Sequence, residues 1–133
     1  MNVNYKFVDA TFDAIEKVST VTINTDIGKF VGTAKLHPDD DNIHLSQYFG
    51  FEIAEMRAVA KYCMAKAKYY KHEVRVLKEY LARMATSRNF KETDFYVKQL
   101  HRMMDNKDLR AREWLAQAMK CETIVERKKG ATK

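Results

Sequence analysis

From about Ser46 to about Thr86 the chain has no proline and one glycine, Gly50. Its apolar residues there recur at Phe49, Ile53, Met56, Ala60, Cys63, Ala67, Tyr70, Val74, Leu77, Leu81 and Met84. The steps alternate between four and three without a miss, which is a heptad seam. A helix carrying it for some forty residues would be about 60 Å long at 1.5 Å per residue, so it needs a partner along its whole length. The chain supplies one between about Lys91 and about Arg127. There Val97, Leu100, Met104, Ala111, Trp114, Ala118, Cys121 and Val125 keep the same spacing, with Lys107 at the one seam position that is not apolar. Asp105-Asn106-Lys107-Asp108 reads as a local break that Asp108 recaps. The turn is expected over Thr86–Phe90, with Thr86 or Thr93 as a cap. Two helices cannot bury every face of the longer one, and the seam is small at Ala60, Cys63 and Ala67 but larger toward Met84. This predicts self-association into a homodimer or a larger symmetric assembly.

Ahead of the helices, Lys17 to Leu36 reads as a β-hairpin. Val18-Ser19-Thr20-Val21-Thr22-Ile23 is mostly β-branched, Asn24-Thr25-Asp26-Ile27-Gly28 carries turn chemistry, and Lys29 to Leu36 resumes an extended pattern with Phe30, Gly32, Ala34 and Leu36 on one face. Gly32 inside that strand points to a bulge or to a close approach of another backbone. Tyr5 to Val8 reads as a short strand and Asp9 to Glu16 as a helical turn. The expected fold is therefore α+β and mostly α: an N-terminal β-hairpin, then a long antiparallel helical hairpin that oligomerises through its helices. One domain over 1–133 is expected, with a hairpin region over 1–45, helices over 46–127 and a frayed basic tail over 128–133. The single proline, Pro38, argues against sandwiches and proline-rich linkers. No apolar run reaches the roughly twenty residues that span a bilayer, and Met1 to Tyr5 lacks the parts of a signal peptide, so a soluble cytoplasmic protein without a membrane partner is expected.

The formal net charge of +6 is uneven. Residues 1–50 carry four Lys or Arg against seven Asp or Glu, residues 51–91 ten against four, and residues 92–133 ten against seven. The helical part thus attracts anions, although a solvated lysine-rich face accounts for such a charge equally simply. Cys63 and Cys121 fall at apolar seam positions with no ligand spacing and read as small buried hydrophobes, not as a disulfide or a zinc site. His37, His44, His72 and His101 are scattered, Asp39, Asp40 and Asp41 lack an acid or base partner, and no nucleophile elbow or phosphate-cradling loop occurs. The expectation is a protein that is not an enzyme, with no catalytic residue, metal or cofactor.

Binding has better candidates. Arg57 lies one position past the seam, where its planar fork suits a phosphate held between helices or, equally, a neighbouring carboxylate such as Glu52 or Glu55. Arg83, Arg88, Asn89 and Phe90 gather where the long helix ends, offering phosphate donors, an amide and a stacking face; a helix C-terminus with a hydrophobic plug explains the last two as simply. Arg110 and Arg112, near Trp114, add a basic and aromatic group on the second helix. Tyr62, Tyr69, Tyr70 and Tyr80 read as packing residues before stacking platforms.

The run Gly28 to Asp40, followed by Tyr48-Phe49-Gly50-Phe51-Glu52-Ile53-Ala54-Glu55-Met56-Arg57-Ala58 and a helix rich in Lys and Tyr, resembles the phage Thoeris anti-defense protein 1 family. The likeness runs from about Val18 into the second helix. It implies a sponge that sequesters a cyclic ADP-ribose isomer, the signal of the bacterial Thoeris system, without degrading it. It also implies possible sites for cyclic di- or trinucleotides, a hexameric assembly, and a location in the cytoplasm of the infected bacterial host. On this likeness Arg57 lies inside the matching stretch, Asn89 and Phe90 fit by type and place, and Arg88, Arg110 and Arg112 fit by chemistry. Two other readings use the same residues: a basic helical phage protein that binds nucleic acid, and a structural coiled-coil adaptor. The sponge is preferred to nucleic-acid binding because the charge gathers beside the seam and at its end.

Overall fold

The computed structural model describes residues 1–35, 43–86 and 95–131, without the side chains of 43–48 and 130–131. It is an α+β fold: three antiparallel strands, β1 (Lys6–Asp13), β2 (Val18–Thr25) and β3 (Gly28–Lys35), followed by two long helices, α1 (Ile43–Ala85) and α2 (Phe95–Ala131). The sheet order is β1-β2-β3. The chain divides into two compact units, one of Met1–Met64 with Ala116–Lys133 and one of Ala65–Leu115, so each helix contributes to both.

In the first unit β2 is the central strand. Ser19, Val21 and Ile23 point inward and are buried, while Thr20 and Thr22 face out. On β3, Gly32 and Ala34 are buried and Phe30 is half-buried, the face the alternation predicts. Asp26 and Ile27 form a two-residue turn between the paired Thr25 and Gly28, and Gly28 takes a φ of 124° that suits glycine.

The expected hairpin is instead three strands. Residues 9–13, read as part of a helical turn, pair with β2, and Ala10 and Phe12 turn inward opposite Val21 and Ser19. Val8 is an extra residue between Phe7 (opposite Ile23) and Asp9 (opposite Thr22), a bulge that hides the strand's alternation from sequence reading. Asp13 closes the following turn by accepting from the backbone N–H groups of Ile15 and Glu16, and Lys17 takes a left-handed φ of 56°.

Gly32 is where β3 and α1 meet. A methyl group built there would lie 1.9 Å from the Ala54 carbonyl oxygen and 2.5 Å from the Ala58 nitrogen, so the anticipated close approach is to the backbone of α1. Ala54 and Ala58, four apart and fully buried, provide the matching flat surface on the helix. Tyr62, one turn further, packs on Phe30 at 5.7 Å between ring centroids and donates its hydroxyl to Asp26 Oδ1 at 2.6 Å. Removing that hydroxyl from a buried ring leaves the contact but loses a bond to a carboxylate. Tyr62→Phe should therefore cost about 1–2 kcal/mol, read as a lower urea midpoint at unchanged slope.

The seam on α2 packs as its spacing predicts: Val97, Leu100, Ala111, Trp114, Ala118, Cys121 and Val125 are buried. On α1, Ile53, Cys63 and Ala67 are buried, while Tyr70, Val74, Leu77, Leu81 and Met84 are half-buried. In the first unit Glu52 of α1 is paired with Lys128 of α2; in the second the helices run antiparallel, since Lys66 lies on Trp114 and, further along α1, Glu73 is paired with the earlier Lys107. The break expected at Asp105–Asp108 does not occur. Lys107 lies in unbroken helix, its ammonium 2.7 Å from Glu73 Oε2 and 5.4 Å from the centre of the Tyr70 ring, so a cross-helix ion pair fills the seam position that lacks an apolar residue. Nor is the basic tail wholly frayed, since α2 continues to Ala131. Thr86 ends α1 by donating its hydroxyl and its N–H to the Arg83 carbonyl. Residues 36–42, with His37, Pro38 and Asp39–Asp41, and residues 87–94, where the turn was expected and which include Thr93, lie outside the described residues.

Candidate functional site

Arg57 stands on the α1 face that meets the sheet. Its Nη1 donates to the Thr33 carbonyl at 2.7 Å, and one helical turn on, Lys61 Nζ donates to the Val31 carbonyl, also at 2.7 Å. The match is geometric: four helical residues rise about 6 Å and two strand residues about 6.8 Å, so basic side chains at i and i+4 meet alternate carbonyls of a strand. Among the described residues β3 has a neighbouring strand on one side only, and these two cations take up main-chain acceptors of that end strand. The described partner of Arg57 is thus a main-chain carbonyl, where the sequence suggested a phosphate or a carboxylate such as Glu52 or Glu55. Glu52 is paired instead with Lys128.

In the second unit, cations and aromatic rings gather between the helices. Lys66 Nζ lies 5.4 Å from the centre of the Trp114 ring and 5.7 Å from that of Tyr70. Tyr69 and Tyr70 meet edge to face at 5.4 Å. Glu73 is held below the ordinary carboxylate range by hydrogen bonds from Lys107 and Tyr69, and the same contacts hold the Lys107 ammonium and the Tyr69 hydroxyl above theirs. Arg112 pairs with Asp108 at 3.0 Å on the exposed surface. Arg110 is exposed, and the buried Ala111 lies between the two, so they project about 100° to either side of the seam and the fold does not bring them together.

Arg88, Asn89 and Phe90 lie outside the described residues, so of the six candidate ligand residues the structure places Arg57, Arg110 and Arg112. Tyr62 and Tyr70 serve packing, while Tyr69 and Tyr80 stand exposed. Among the described residues no group of three or more His, Cys, Asp or Glu is arranged to hold a metal ion, and no helix is long and apolar enough to cross a membrane. Two features were not read from the sequence: the Lys61 clamp beside Arg57 and the Lys66–Trp114 contact. The one signal for the first was the i, i+4 spacing of two cations.

Comparisons with protein-family models, with curated proteins and with solved structures found no match to this chain.

Proposed function

We propose that the protein binds and sequesters a cyclic ADP-ribose isomer, and thereby silences a signal of the Thoeris type, without altering the molecule. The observation that carries this reading is that the two stretches on which the family resemblance rests are the two that pack together. Gly32 of the first lies on Ala54 and Ala58 of the second, and Arg57 is tied to Thr33. A function built on that pair of stretches requires them to be adjacent. Arg57 has five N–H donors in a fixed fork, and the donors beyond its Thr33 contact suit a phosphate. Arg110 offers exposed positive charge on α2, and Arg112, also exposed, shares its own with Asp108.

The exposed apolar residues of the second unit, Tyr69, Val76 and Tyr80 on α1 with Tyr96, Met103 and Leu109 on α2, favour a symmetric homodimer or hexamer in which ligand is held between copies. Cyclic di- and trinucleotides carry the same phosphate chemistry and are secondary ligands on this reading. The place of action is the cytoplasm of an infected bacterium. The tail and the helix faces remain basic, so a nucleic-acid binder is the competing reading, and a ligand-free coiled-coil adaptor a further one.

Titration calorimetry of the protein with a cyclic ADP-ribose isomer, a cyclic dinucleotide and duplex DNA in one buffer separates these. The sponge gives saturable binding of the small ligand at a fixed ratio, with modest dependence on salt. Binding of DNA alone, with affinity falling steeply as salt rises, would replace it with the nucleic-acid reading. No heat with any of the three would leave the adaptor.

A further inference from the structure

In an antiparallel pair of strands each residue directs both its N–H and its C=O toward the neighbouring strand, or both away from it. Thr25 and Gly28 are paired across the two-residue turn, a pair that exchanges hydrogen bonds. Counting by twos from there, Phe30, Gly32 and Ala34 bond to β2 opposite Ile23, Val21 and Ser19. Val31 and Thr33 therefore face the other way, and their carbonyls are the two that Lys61 Nζ and Arg57 Nη1 reach at 2.7 Å. Along this outer edge the groups follow one another as Val31 N–H, Val31 C=O, Thr33 N–H and Thr33 C=O. The Thr33 N–H thus lies between the two carbonyls that the cations hold. Each cation spends one N–H on its carbonyl, whereas an ammonium has three and a guanidinium five. β3 carries Lys29 and Lys35 and no acidic residue, and Lys29, Val31, Thr33 and Lys35 are all exposed.

We propose that this stretch of the β3 edge binds a phosphate group, held by the Thr33 N–H, Lys61 and Arg57, with Lys61 a binding residue alongside Arg57. An open strand edge ordinarily presents donors and acceptors in alternation, which is what a further strand pairs with. Here the acceptors are occupied and a cation stands on each side of the donor, so the edge is matched to a group that only accepts. A phosphate is such a group: it draws short charge-assisted bonds from Lys and Arg, and main-chain N–H groups are a recurring part of its sites. The Lys61 and Arg57 charges also offset the negative ends of the Val31 and Thr33 carbonyls, which would otherwise repel an anion. The close packing of Gly32 on Ala54 and Ala58 fixes the level at which Arg57 and Lys61 leave α1, so the three donors are in place before a ligand arrives. That the phosphate belongs to a cyclic ADP-ribose isomer rests on the function proposed above; the match of the edge to phosphate does not.

The test is titration of the isotope-labelled full chain with pyrophosphate, followed by amide chemical shifts, with sodium chloride at equal ionic strength as the control. The Thr33 amide should move saturably to lower field with pyrophosphate and stay in place with chloride. Lys61→Gln and Arg57→Gln should each weaken pyrophosphate about tenfold, and Lys61→Arg, which keeps the charge, by no more than about twofold, with circular dichroism reporting that the variants are folded. A wild-type Thr33 amide that does not move, that moves equally with chloride, or that is half-saturated at the same pyrophosphate concentration in Lys61→Gln would overturn the proposal; the two cations would then only cover the edge. Repeating the titration with a cyclic ADP-ribose isomer separates this site from the sponge reading. Pyrophosphate at Thr33 with no binding of the cyclic isomer keeps the site and removes the sponge. Binding of the cyclic isomer with a Thr33 amide that answers neither ligand keeps the sponge and removes the site.

Discussion

Gly32→Ala should destabilise the protein by about 3 kcal/mol or more, one of the two largest losses expected from a single substitution. The added methyl group meets backbone: the Ala54 carbonyl oxygen at 1.9 Å and the Ala58 nitrogen at 2.5 Å. Backbone inside a long helix cannot rotate out of the way as a side chain can, so β3 must lift from α1. With it would go the Phe30–Tyr62 stacking, the Tyr62–Asp26 hydrogen bond and the two clamps from Arg57 and Lys61. Gly50→Ala is the matched control, since it restricts the unfolded chain in the same way. Its methyl group would meet the Ser19 hydroxyl at 2.7 Å, which a rotamer change relieves, and alanine gains about 1 kcal/mol over glycine inside a helix. Urea unfolding followed by circular dichroism should therefore place Gly50→Ala within about 1 kcal/mol of wild type and Gly32→Ala far below it. Equal midpoints for the two variants would mean that sheet and helix are not in close contact at Gly32.

Trp114→Ala should cost about 3–5 kcal/mol, because the chain's only tryptophan is 7% exposed and its removal leaves a cavity on the seam of the second unit. It also deprives Lys66 of an aromatic face 5.4 Å away, a contact worth about 0.5–1 kcal/mol at such a site. Trp114→Phe keeps part of the volume and a ring for Lys66, and should lose less than half as much. Both are read by circular dichroism, since the substitutions remove the natural fluorophore. A Trp114→Ala protein as stable as wild type would mean that the ring is not a core residue.

The helices were legible in the sequence because their signal is local and periodic: on α2 each apolar seam residue from Val97 to Val125 is buried or half-buried. β1 was mostly not legible. Its alternation is interrupted by the bulge at Val8, and pairing with β2 decides its conformation, so Asp9 to Asp13 belongs to a strand where its short-range pattern suggested a turn of helix. The same holds for Lys107, whose polar run reads as a helix break until Glu73 on the other helix is placed beside it. Gly32 was legible as a place of close approach, because glycine weakens a strand interior and is kept there where a bulge or a second backbone leaves no room for a side chain.

The candidate site was less legible than the fold. The chemistry of Arg57 can be read from its type and position, but its partner, a carbonyl 24 residues earlier, follows only from how β3 lies on α1. The spacing of Arg110 and Arg112 suggested one basic group, yet helical geometry sends them to opposite sides of Ala111. Cys63 and Cys121 were each legible as buried from their seam positions.

The central claim is sequestration without chemistry, and its most direct measurement is recovery of the ligand. The protein is incubated with a cyclic ADP-ribose isomer, unbound molecules are removed by filtration, the complex is heated until the protein denatures, and the released material is identified by chromatography and mass spectrometry. Sequestration predicts the intact cyclic molecule, at a fixed ratio to protein. A linear ADP-ribose product would contradict it, as would the absence of any retained ligand.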